Sequence, residues 1–90
     1  MARRQNQDTH AVAAEMLMFR RRHGISTATA GRVLGISGEG YRLKERAGSA
    51  TGPELAALAE AFGETLGTAF PSYRPTPHER ALARHLAEAA

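Results

Sequence analysis

Ninety residues allow one small domain with a modest core and little spare stability. The absence of cysteine excludes disulfides and thiolate metal sites, which suits a cytoplasmic setting. The net charge is +3, no apolar run is long enough to span a bilayer, and the start lacks the apolar core of a signal peptide.

In chain order, residues 1–7 have no apolar periodicity and read as a flexible arm. Its Arg3 and Arg4 can reach phosphates or a minor groove, or can be incidental to a disordered start. A first helix is expected from Asp8 or Thr9. Val12, Met16, Phe19 and His23 lay one stripe along it at i, i+4, i+7 and i+11, and Gly24 ends it. Arg20 lies beside that stripe and should be partly buried, whereas Arg21 and Arg22 should face solvent.

A second helix opens with Ser26 as N-cap, runs to Leu34 and is broken by Gly35. Thr27 stands at its start, where a hydroxyl and free N–H groups can hold a phosphate. Gly31 costs about 1 kcal/mol against alanine in a helix interior, so a close helix approach is expected there. Arg32 should be exposed and can serve as a peripheral phosphate contact. Ser37 caps a third helix that continues through Tyr41 to about Arg46. Two helices meeting at a glycine-centred turn form the helix-turn-helix pattern, whose second helix can enter the major groove of DNA.

The loop 47–52 is small and uncharged. Pro53 suits the first turn of a fourth helix whose apolar face is Leu55, Leu58, Ala59 and Phe62, with Gly63 stopping it. A short fifth helix carries Leu66 and Phe70 and ends at Pro71. Residues 71–77 read as a connector. Thr76, Pro77 and Glu79 then make a capping box for a C-terminal amphipathic helix over 78–90, with Leu82, Leu86 and Ala89 on one face. Such a helix is unstable alone and needs the domain or a second copy to dock on. His78 and His85 lack a third ligand, so no metal or other cofactor is expected.

Charge is unevenly placed. Residues 20–46 hold seven basic side chains against two glutamates, a net +5, whereas residues 47–73 carry three glutamates and no cation. The positive segment coincides with the bihelical pattern, where phosphate attraction would require it.

Arg20, Gly24-Ile25, Ala30-Gly31, Leu34-Gly35-Ile36-Ser37 and Glu45 resemble the DNA-binding domain of the XRE, or lambda-repressor-like (Cro-type), family of phage and bacterial regulators. Leu55, Leu58-Ala59, Phe62-Gly63, Leu66 and Phe70 extend the likeness over residues 12–70 without insertion. The resemblance implies an all-α chain: a compact five-helix domain over residues 8–70, followed by the connector and the C-terminal helix. It implies double-stranded DNA as partner, read as a palindromic operator by a homodimer, with repression by promoter occupancy the expected mode. Family positions facing base edges fall on Ser37, Gly38, Glu39, Gly40 and Leu43, with Arg42 alongside and Arg46 near the helix end; Thr27 falls on a phosphate contact. Glu39 can accept from a cytosine amino group, Leu43 can touch a thymine methyl, and Arg42 can meet guanine or phosphate. The two glycines offer no reading group, and Lys44 stands where the family has an apolar core residue, so Leu43 or Lys44 can be the one that faces DNA.

The family also pairs the positions of Arg20 and Glu45, and stranding Arg20 by Glu45→Ala should then cost about 3–5 kcal/mol. Leu66 and Phe70, which most simply complete the core, fall where relatives dimerise; with Leu82 and Leu86 they mark the expected dimer interface. No enzymatic motif is present: no phosphate-binding glycine loop, nucleophile elbow or zinc spacing. The competing reading is an interaction module, antitoxin-like or partner-binding, that keeps the scaffold but has weak base readout. The paired glycines favour it.

Overall fold

The computed structural model describes residues 8–75 together with Ala81, Arg84 and His85. Five helices follow one another: α1 Thr9–His23, α2 Thr27–Leu34, α3 Gly38–Ala47, α4 Gly52–Ala61 and α5 Leu66–Ala69. No strand occurs among the described residues, and no helix of theirs is long and apolar enough to cross a membrane.

Each helix is bounded by local chemistry. The Asp8 carboxylate accepts from the Ala11 N–H at 3.0 Å, and the Ser26 and Ser37 hydroxyls accept from the N–H groups of Thr29 and Gly40. These contacts satisfy donors that the first turn leaves without a helical partner. Gly24, Gly35 and Gly48 close α1, α2 and α3 at φ of 65°, 74° and 64°, the left-handed region that side chains resist. The fourth helix starts one residue earlier than Pro53 suggests. Thr51 caps it, with the Glu54 carboxylate accepting in return from the Thr51 N–H, so Gly52 belongs to the helix and the loop before it is shorter than expected.

The core is built from Val12, Met16 and Phe19 of α1, Ala30 of α2, Tyr41 of α3, Leu55, Leu58 and Ala59 of α4, and Ala69 and Phe70 at α5. Each fully buried large apolar side chain contributes about 1.5–3 kcal/mol. The Phe19 ring is central, meeting His23 at 4.5 Å, Phe70 at 5.3 Å and Phe62 edge-on at 5.9 Å between centroids.

Phe70 is only 1% exposed within the single chain, so it is core and unavailable to a second subunit; Leu66 is half-buried against the same cluster. Residues 71–75 do more than connect. The Ser72 N–H and hydroxyl both donate to the Glu15 carboxylate, and Tyr73 packs against the core, which fastens this stretch to α1. Ala81, Arg84 and His85 are helical and exposed. Arg3, Arg4, His78, Leu82 and Leu86 lie outside the described residues, so the expected arm and the apolar face of the last helix do as well.

Two close backbone approaches set where α3 sits. A Cβ on Gly31 would lie 2.7 Å from the Ser37 carbonyl oxygen and 2.8 Å from that of Ile36, so α2 abuts the turn directly. At the other end, a Cβ on Gly48 would lie 2.1 Å from the Thr9 carbonyl oxygen, so the end of α3 meets the start of α1 with no room for a side chain.

Candidate nucleic-acid interface

Helix α3 has a clear inner and outer side. Tyr41 is fully buried and Glu45 is 8% exposed, one turn apart at i and i+4, and they form the inner face. Burial raises the Tyr41 phenol far above its ordinary value, and the Glu45 carboxylate adds to the effect. The Tyr41 hydroxyl lies near that carboxylate but meets no acceptor at hydrogen-bonding distance and angle. Glu45 takes both donors of an Arg20 fork, Nε–H at 3.0 Å and Nη2–H at 3.2 Å, while Nη1 of Arg20 donates to the Ile25 carbonyl at 3.3 Å. These contacts raise the Arg20 pKa, its hydrogen bonding to Glu45 outweighing partial burial. The pair pins α1 to α3 and the 24–26 turn at once.

The outer side is a stripe of Glu39, Arg42, Leu43 and Arg46, at i, i+3, i+4 and i+7. Leu43 is 51% exposed, which answers the choice between it and its neighbour: Leu43 faces outward, and Lys44 turns toward α4 with its Nζ 3.4 Å from Glu54. Within the stripe Arg42 donates to Glu39 twice, Nε–H at 3.0 Å and Nη2–H at 2.7 Å. That hydrogen bonding, then the charge of Arg42 and more weakly that of Arg46, hold the Glu39 carboxyl below the usual carboxylate range.

Gly38 of α3 does not look outward. A Cβ on Gly38 would point at the Ala28 backbone, 3.0 Å from its Cα, and one on Gly40 would point at Ser37 Oγ, 3.2 Å away. Gly38 is therefore a spacer that lets the first turns of α2 and α3 touch, rather than a vacant reading position. Thr27 is the residue before Ala28 and opens α2, at the end of that helix where the approach occurs. Ser37 is exposed, with its oxygen engaged by the Gly40 N–H. Arg46 sits in the last turn of α3, about 12 Å along the axis from Gly38. Arg32 is exposed in the last turn of α2, away from the paired helix starts.

The positive segment is less bare than its composition suggests. Arg20 pairs with Glu45 and Arg42 with Glu39, while Arg22 and Lys44 are met by Glu64 and Glu54 from the acidic segment that follows. Arg21, Arg32 and Arg46 are exposed and enter no ion pair among the described residues. Sequence reasoning missed Tyr41 as the inward residue, although its spacing of four from Glu45 was the signal for it. It also missed the Glu54, Glu64 and Glu15 contacts, which join residues too distant in the chain for any periodicity to reveal.

Adjoining the stripe at Arg46, α1 and α3 frame an open groove of about 240 Å³ lined by Ala13, Ala14, Leu17, Glu45 and Arg46. Met18, on the same helix as most of that lining, is 62% exposed. Comparison with protein-family models, with curated proteins and with solved structures finds no match to this chain.

Proposed function

We propose that this chain is a sequence-specific DNA-binding regulator of the lambda-repressor-like helix-turn-helix kind, with α2 and α3 as the bihelical unit and α3 as the reading helix. The observation that carries the reading is the outer stripe of α3: two arginines, a carboxylate and an exposed leucine on one face of a helix whose first turn touches that of α2. Those groups suit base edges in a major groove, which offer amino donors, carbonyl and ring-nitrogen acceptors and thymine methyls. Thr27 and the two helix starts would meet phosphates, with Arg46 reaching the backbone farther along. On this reading two copies bind half-sites about 34–36 Å apart, and repression follows from occupying a promoter. No chemistry is required of the chain beyond binding.

Selection of bound duplexes from a random pool, repeated across salt concentrations, tests this. An enriched palindrome with half-sites one helical turn apart is expected. Recovery of no sequence above the starting pool would sink it.

The α1–α3 groove and exposed Met18 favour a second reading, a module that uses the same scaffold to hold a protein partner. That reading expects Leu17→Asp or Met18→Asp to abolish function while leaving duplex selection unchanged.

A further inference from the structure

We infer that Glu39 and Arg42 read DNA as a single unit, in which the carboxylate converts a general phosphate ligand into a selector for a C·G pair. The inference rests on the DNA-binding reading above and names what its outer stripe recognises. Left alone on a helix surface, an arginine contacts any phosphate, because that contact requires only charge and reach. Arg42 is not left alone. Its Nε–H and one Nη2–H are committed to Glu39 in a fork-to-fork contact at 3.0 and 2.7 Å, one helical turn apart on the same face. Both members remain open to solvent, with Glu39 at 64% and Arg42 at 42% side-chain exposure, so the pair is presented outward rather than sealed.

What such a pair can meet follows from its unused valences. A guanidinium has five N–H donors, so three remain for an acceptor edge, while the carboxylate keeps lone pairs for a donor. A phosphate satisfies the first and repels the second. A C·G pair satisfies both, since guanine O6 and N7 accept while cytosine N4 donates in the same groove. Leu43 is the neighbour at i+4 from Glu39, and its exposed side chain adds an apolar contact suited to a thymine methyl beside that pair. The arrangement thus has both an attractive element and a repulsive one, and discrimination depends on the second as much as the first.

The test compares the wild-type chain with E39Q, R42Q and the double variant, on random-sequence duplex and on the selected site with each base pair varied in turn. Both residues lie on an exposed face, and helical circular dichroism verifies that the fold is kept. For E39Q the expected result is tighter binding to random duplex at low salt. The slope of log affinity against log salt should steepen by about 0.9, the signature of one added phosphate contact. Preference for C·G at one position should fall about tenfold. The double variant should lose no more of that preference than either single change. Wild-type binding together with an E39Q variant of unchanged slope and unchanged preference overturns the inference alone. Failure of the wild-type chain to bind any duplex at low salt overturns the DNA-binding reading and the inference with it.

Discussion

Gly31 and Gly48 occupy places where backbones meet with nothing between them, and they should respond to alanine quite differently from Gly24 and Gly35. At Gly48 the new methyl would sit 2.1 Å from the Thr9 carbonyl oxygen in a left-handed residue, combining a clash with a strained conformation. Gly48→Ala should cost about 2–4 kcal/mol, and Gly31→Ala about 1–3 kcal/mol from the clash alone. Gly24 and Gly35 have open space at their Cβ positions, so alanine there should cost only about 1–2 kcal/mol of backbone strain. Urea unfolding of the four variants checks the order. Tyr41 gives the opposite sign. Its hydroxyl is buried without a partner, so Tyr41→Phe removes an unpaid desolvation and should leave stability unchanged or raise it by up to about 1 kcal/mol. A melt showing a loss of that size would mean the hydroxyl is hydrogen-bonded after all.

The helices themselves were largely legible in the sequence. Asp8, Ser26 and Ser37 each start a helix through a contact within three residues, and Gly24 and Gly35 end two of them through their own φ, whereas the Thr51 cap and the Gly48 stop lay in a stretch that read as loop. Signals of that range survive without tertiary information. The side of α3 that faces inward did not, because Lys44 and Leu43 compete for it on polarity alone while Tyr41 takes it, fully buried in the core cluster. Long-range ties between elements were visible only for Arg20 and Glu45. Since 22% of the Arg20 side chain reaches water, Glu45→Ala should cost about 2–3 kcal/mol, below the range for a fully buried pair. Thermal unfolding measures it. Glu64 gives the matching pH prediction. Hydrogen bonds from Arg22 and then His23 lower its pKa below the ordinary 4.5 in the folded chain. Its stabilising contribution is therefore complete above about pH 4.5 and is lost as pH falls through the lowered value. In Glu64→Gln the stability lost on acidification should be smaller than in the wild type.

Over the whole molecule, counting charges along the chain overstated the positive field, because two of the three glutamates of the acidic segment fold back onto it. Glu54 and Glu64 each neutralise a cation that the composition assigns to the interface. If duplex binding is measured against salt, Arg46→Gln should reduce the slope by about 0.9, whereas Arg22→Gln, already committed to Glu64, should leave it unchanged. The placing of Phe70 was the least legible feature. Phe70 has the composition of an interface residue and the burial of a core one, and only packing distinguishes the two. One consequence of the Gly31 contact reaches beyond stability. With main chain pressed on main chain, no rotamer change can widen the angle between α2 and α3, so the corner behaves as a weld rather than a hinge. Any allosteric message bound for the exposed stripe must then travel by moving both helices together, entering where Gly48 leans on Thr9 or where Lys44 reaches Glu54.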